Sequence, residues 1–250
     1  MRSTALIPAL VLAVALVATV GASARPQATT IQVATVLTAD QEVPSPTGDV
    51  ANGRGTFTAS VTKSDTGASV SWQLSFSGLT GNAKVRSSGG GLHIADIVGN
   101  VDAGSSGGGV EVKQVRGDVD VSSSGGGVGV AQVSGAVTAS SSGGGVHVDG
   151  VGGRVMAESS GGSVSAVLAA GNSAGGSLSS SGGGVRVTLA RDTRLSIDAS
   201  SSGGSVRCEL PVQPLGKPSR TALRGDLNGG GPVLKLRSSG GGIDIDGSGG

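Results

Sequence analysis

The motif Ser-Ser-Gly-Gly returns with its first serine at Ser87, Ser105, Ser123, Ser141, Ser159, Ser180, Ser201 and Ser238, at intervals of 18, 18, 18, 18, 21, 21 and 37 residues. Nothing else in the chain constrains the fold as tightly. A flexible Gly/Ser linker has no reason to hold one period over four successive intervals. A solenoid does, because each interval is then one coil, and coils stack only if their lengths match.

The residues between the serines decide between the two. One column, aligned on the repeat, holds Leu92, Val110, Val128, Val146, Val164, Val185, Val206 and Ile243. Two residues on stand Ile94, Val112, Val130, Val148, Ala166, Val187, Cys208 and Ile245. Three more apolar columns follow in the regular coils: Ile97/Val115/Val133/Val151, Val101/Val119/Val137/Val155 and Ala103/Val121/Ala139/Ala157. The two-residue step within each V-x-V pair is that of a strand whose alternate side chains face inward. Residues such as Glu111, Gly129, His147, Arg186 and Arg207 fall between them, on the outer face. Disordered Gly/Ser segments do not keep β-branched residues in register. The chain is therefore expected to be all-β: a β-solenoid, or parallel β-helix, with coils of about 18 residues from Lys84 to Gly250, preceded by a small β-rich N-terminal module.

On this reading the glycines turn the corners, where positive φ is often needed. The serines stack in columns, with hydroxyls free to bond to their neighbours above and below. Composition agrees with a thin core: 48 glycines, two phenylalanines, one tryptophan and no tyrosine. A Trp or Phe inside such a coil would push its neighbours apart. Two other solenoid types are excluded. A hexapeptide β-helix needs an aliphatic every six residues, but from Val110 those steps land on Arg116 and Ser122. Calcium-binding nonapeptides need Asp in a fixed ladder, and Asp96, Asp118, Asp120 and Asp149 form none.

The first residues read as a leader. Met1-Arg2 precedes the uncharged apolar run Ala5 to Val20, and Ala22-Ser23-Ala24 supplies the small-x-small pattern of a signal-peptidase site. Residues 1–24 are expected to be a signal peptide, with no retained membrane span. Loss of Arg2 would leave the basic residues equal to the 17 acidic ones. With no basic block, nucleic acid is not an expected partner. The single cysteine, Cys208, forms no internal disulfide, so an exported chain would rest on pairing and packing.

No residue set presents itself as catalytic, cofactor-binding or metal-binding. His93 and His147 take outward places three coils apart, roughly 14 Å at the strand spacing, too far to share one ion. Cys208 replaces an inward valine and is expected to be a buried, unreactive thiol. Arg116, Asp118 and Asp120 cluster near one turn, where the acids invite comparison with polysaccharide-cleaving β-helices. Neighbouring coils add no matching acids or aromatic platforms, so a solvated polar face is expected. The aromatics Phe57, Trp72 and Phe76 precede the repeats, and Trp72 and Phe76 have the spacing of a strand's buried face.

The repeat S-S-G-G-x-[IV]-x-[IV], followed by V-x-G-x-V-x-A, resembles the adhesin family of bacterial exported β-helix proteins, as does the segment GDLNGGGPVLKLRSSGGGIDI at Gly225 to Ile245. The resemblance implies a β-helix and brings no catalytic residues. Upstream, Leu37, Gln41-Glu42-Val43-Pro44, Gly53 and Gly55 before Thr56-Phe57, then Trp72/Leu74/Phe76 and Ser77-Gly78-Leu79-Thr80, resemble the opening of a CHRD (chordin-type) domain. That domain usually continues to a His-containing strand, whereas here the chain passes at Lys84 into the first repeat, as if truncated. The expected organisation is 1–24 signal peptide, 25–83 partial CHRD-like module and 84–250 β-helix repeats. The expected function is non-catalytic: adhesion or envelope scaffolding at the cell surface, outside the cell or in the periplasm, through a protein or glycan ligand. The alternatives are a self-associating structural solenoid of the periplasm and, third, a polysaccharide-active enzyme.

Overall fold

The computed structural model describes residues 29–38, 54–64, 67–217 and 219–248. The leader at 1–24 and Gln41 to Pro44 lie outside the described residues, as do the side chains of Phe57, Trp72 and Phe76. The described chain is all-β and is a β-solenoid. Strands β1 (Thr29–Thr38), β2 (Arg54–Ser64) and β3 (Gly67–Thr80) form an antiparallel meander. Six coils of two strands each then follow in chain order. They are β4 (Ala83–Ser87) with β5 (Gly91–Val98), β6 (Val101–Ser105) with β7 (Val110–Arg116), and β8 (Val119–Ser123) with β9 (Val128–Val133). Next come β10 (Val137–Ser141) with β11 (Val146–Val151), β12 (Val155–Ser159) with β13 (Val164–Leu168), and β14 (Gly176–Ser180) with β15 (Val185–Ala190). The rest of the chain supplies β16 (Leu195–Ser201), β17 (Val206–Cys208), β18 (Gln213–Pro214), β19 (Ala222–Leu227), β20 (Val233–Ser238) and β21 (Ile243–Ser248).

The second strand of every coil lies in one sheet and the first strand in another. All five apolar columns stack as the sequence predicts and are buried between the two sheets, except at the outermost coil, where Val206 and Cys208 are half-buried. The meander continues the first of these sheets, since β3 runs parallel to β5 with Leu74 opposite Leu92. At the far end β19 lies antiparallel on β16, with β18 on β19, while Leu210 and Leu227 close the core.

The serine corners work differently from the expectation. None of the described SSGG glycines has a positive φ. They are glycines because successive corners almost touch: a Cβ on Gly126 would lie 2.4 Å from Gly109 N and 2.6 Å from Gly108 C. Any side chain there would collide with backbone. The first serine of each motif is buried. Ser123 Oγ donates to Gly108 O of the preceding coil (2.9 Å) and accepts from Gly126 N (3.0 Å), and Ser141 and Ser159 repeat the arrangement. Serines therefore bond to glycine backbone rather than to one another.

Positive φ occurs instead within the strands of the first sheet, at Asp96, Gln114, Gln132 and Gly150 (56°, 56°, 55° and 64°). One residue in the left-handed conformation slips the in-out alternation by one place. That is why the third apolar column follows the second by three residues instead of two. The bulge is absent from β13, where Val164, Ala166 and Leu168 all face inward. The extra residues of the 21-residue coil that follows lie in the opposite corner. There the buried Asn172 donates from Nδ2 to Val151 O (2.6 Å) and Gly153 O (2.8 Å).

One departure concerns coil order. The β20–β21 coil, last in sequence, sits between β14–β15 and β16–β17. Ser180, Ser238 and Ser201 stand in register, as do Val185, Ile243 and Val206. The chain thus makes an outer coil, doubles back through β18 and β19, and fills the gap it had left.

Candidate functional site

Because the interior is apolar, the side chains capable of recognition stand on the two outer sheet faces and the corners. On the first sheet the outward row runs His93, Glu111, Gly129, His147, Ser165, Arg186, Asp244 and Arg207 in spatial order. Three pairs in the row join adjacent coils, one of them Arg186 with Asp244. His93 Nδ1 meets Glu111 Oε2 at 2.9 Å, and His147 Nδ1 meets Ser165 Oγ at 2.8 Å. The two histidines belong to separate pairs three coils apart, as the spacing predicts. Lys113 also pairs with Glu111, and its hydrogen bond, ahead of that from His93, holds the Glu111 carboxyl below the usual range.

On the second sheet Arg86 donates to Asp102 Oδ1 (2.6 Å) and to Asp102 O (3.1 Å), and Lys84 lies 3.6 Å from the same carboxylate. The Arg86 hydrogen bond depresses the Asp102 pKa. Arg237 repeats this grip on Asp198, with 2.8 Å to the carboxylate and 2.7 Å to the carbonyl, while Arg224 reaches Asp198 from β19 at 3.3 Å. Asp198 is accordingly more acidic than an ordinary aspartate, chiefly through Arg237.

The acids near one turn part company. Asp118 belongs to a ladder that the sequence reading missed. Asn82 Oδ1 accepts Asn100 N, Asn100 Oδ1 accepts Asp118 N, and Asp118 Oδ1 accepts Ala136 N, at 2.9, 2.9 and 2.8 Å. The signal was present in the 18-residue spacing of 82, 100 and 118. Asp120 stands outward on β8 between Asp102 and Thr138, and Arg116 is exposed at the end of β7. Lys84, Asp102, Asp118, Asp120 and Thr138 border an open hollow of about 480 Å³. Asp118 accepts a backbone N–H there through Oδ1, and Asp102 is held by Arg86 and Lys84.

Cys208 is half-buried rather than buried, because β17 is the edge strand of the outermost coil. Burial still raises its pKa, which disfavours the thiolate. Among the described residues no three His, Cys, Asp or Glu side chains are grouped to hold a metal ion, and no helix is long and apolar enough to cross a membrane. No protein-family model, curated protein or solved structure matches this chain.

Proposed function

We propose that this chain is an exported, non-catalytic β-solenoid that acts by display, in adhesion at the cell surface or as a scaffold of the envelope. The supporting observation is a contrast between inside and outside. The inward columns repeat Val, Ile, Leu and Ala from coil to coil, while the outward row changes from His93 to Glu111 to Gly129 to His147. A stack of fixed interior and varied exterior is suited to presenting a patterned surface to a protein or glycan. Ionic ties between coils, such as Arg86 to Asp102, favour a rigid presenter.

The test is protease shaving of intact cells carrying a C-terminally tagged copy, with a periplasmic marker as control. Display outside the cell predicts loss of the tag while the marker survives. Protection of the tag in expressing cells would remove the adhesion reading and leave an envelope-internal scaffold, where self-association becomes the leading role. Release of reducing ends from a glycan panel by the purified chain would overturn the non-catalytic reading.

A further inference from the structure

The slot between β14–β15 and β16–β17 has two walls in identical register, and the coil that fills it comes from the end of the described chain. Charge shows that the filler is specific. Arg186 on one wall lies opposite Asp244 of the inserted coil (3.3 Å), and Arg207 of the other wall lies opposite the same aspartate. Without the insert, the same register would set Arg186 directly against Arg207. On the second sheet Asp198 of the outer coil is gripped by Arg237 of the insert, whereas direct stacking would leave Ser179 in the place of that arginine. The walls therefore favour a coil between them over each other.

The tether fits exchange. Residues 228–232 (NGGGP) pass over the start of β16 to join β19 to β20, which flank β16 on opposite sides. Asn228, Gly229 and Gly230 are all in the left-handed region, at 49°, 88° and 76°. A short, conformationally demanding hinge next to a separable element is the setting in which domain swapping occurs.

We propose that residues 233–248 are an exchangeable coil, and that two copies of this chain trade it, each filling the slot of the other. The partner is a second copy because the slot contacts that residues 233–248 make in the closed form are the ones they would make in the slot of another copy. The proposal holds whether or not the rod is displayed on a cell.

Ser202 and Ser239 are exposed on adjoining corners, with Ser202 N donating to Ser238 O at 2.9 Å. Full-length Ser202→Cys and Ser239→Cys chains, each also carrying Cys208→Val, are mixed in denaturant, refolded together at high concentration and treated with a short bismaleimide. Exchange predicts a covalent heterodimer in several-fold excess over that from Ser106→Cys mixed with Ser239→Cys, since Ser106 is equally exposed but lies on a remote coil. A Ser202→Cys/Ser239→Cys double variant, cross-linked within one chain, controls for reactivity and folding. Equal heterodimer yields from the two mixtures, or intrachain linkage in the control with no heterodimer from the first mixture, would overturn the proposal.

Discussion

Gly126 and Gly129 stand three residues apart and have opposite requirements. A Cβ at Gly126 would strike the backbone of the coil below, whereas at Gly129 the nearest atom would be Glu111 Cγ at 3.9 Å. Gly126→Ala is predicted to destabilise the fold by about 1–3 kcal/mol or more. Gly129→Ala, on an outward strand position, should be neutral or stabilising by about 0.5–1 kcal/mol through the unfolded chain. Urea unfolding of the pair separates close approach from mere glycine content. Gln132 tests the other kind of backbone demand, since its φ of 55° costs a side-chain-bearing residue about 1 kcal/mol. Gln132→Gly should therefore raise the urea midpoint despite glycine's greater freedom when unfolded, and a lowered midpoint would show that the bulge is not the constraint.

At the scale of the element, the inserted coil is tied by ions as well as by its strands. Asp198 lies between Arg237 and Arg224, each from a different neighbouring strand, and is half-buried. Its folded pKa is depressed below 3.8, so its contribution is fully present above the unfolded pKa and is lost as pH falls from about 3.8 through the folded value. Asp102 and Glu111 shift in the same direction and add to the acid dependence. Asp198→Asn should cost about 0.5–1.5 kcal/mol at neutral pH and flatten the loss of stability as pH falls below about 4. Hydrogen exchange should show the effect concentrated in β16, β19 and β20. The coil length and the stacking of the valine columns were legible in the sequence because periodicity reports directly which side chains face inward. The corner glycines were found for the wrong reason, since a glycine forced by a close neighbour and one forced by its own φ look alike in sequence. Cys208 was placed in the correct column, but a column does not say which coil is outermost.

For the whole molecule, what the repeat could not convey was order. Sequence alignment puts Ser201 after Ser180 and Ser238 last, because an in-register coil fits any place in the stack. The information lay in outward charges, Arg186, Asp244 and Arg207, whose alternation makes sense only after the neighbours are known. The anonymous outer surface has the same origin: each outward residue bears on a partner or on the next coil, and only the latter is written in the period. The molecule is a stack in which the coil last in sequence is inserted one place from the end. The exposed second serines of the corners are suited to measuring it, with spin labels on Ser106→Cys paired with Ser239→Cys or with Ser202→Cys in a Cys208→Val background. At about 4.8 Å per coil, this order predicts narrow pulsed-dipolar distances with Ser239 nearer, at roughly 24 Å, and Ser202 one coil farther, at roughly 29 Å. The reverse order, or broad distributions that do not step with the coil, would contradict it.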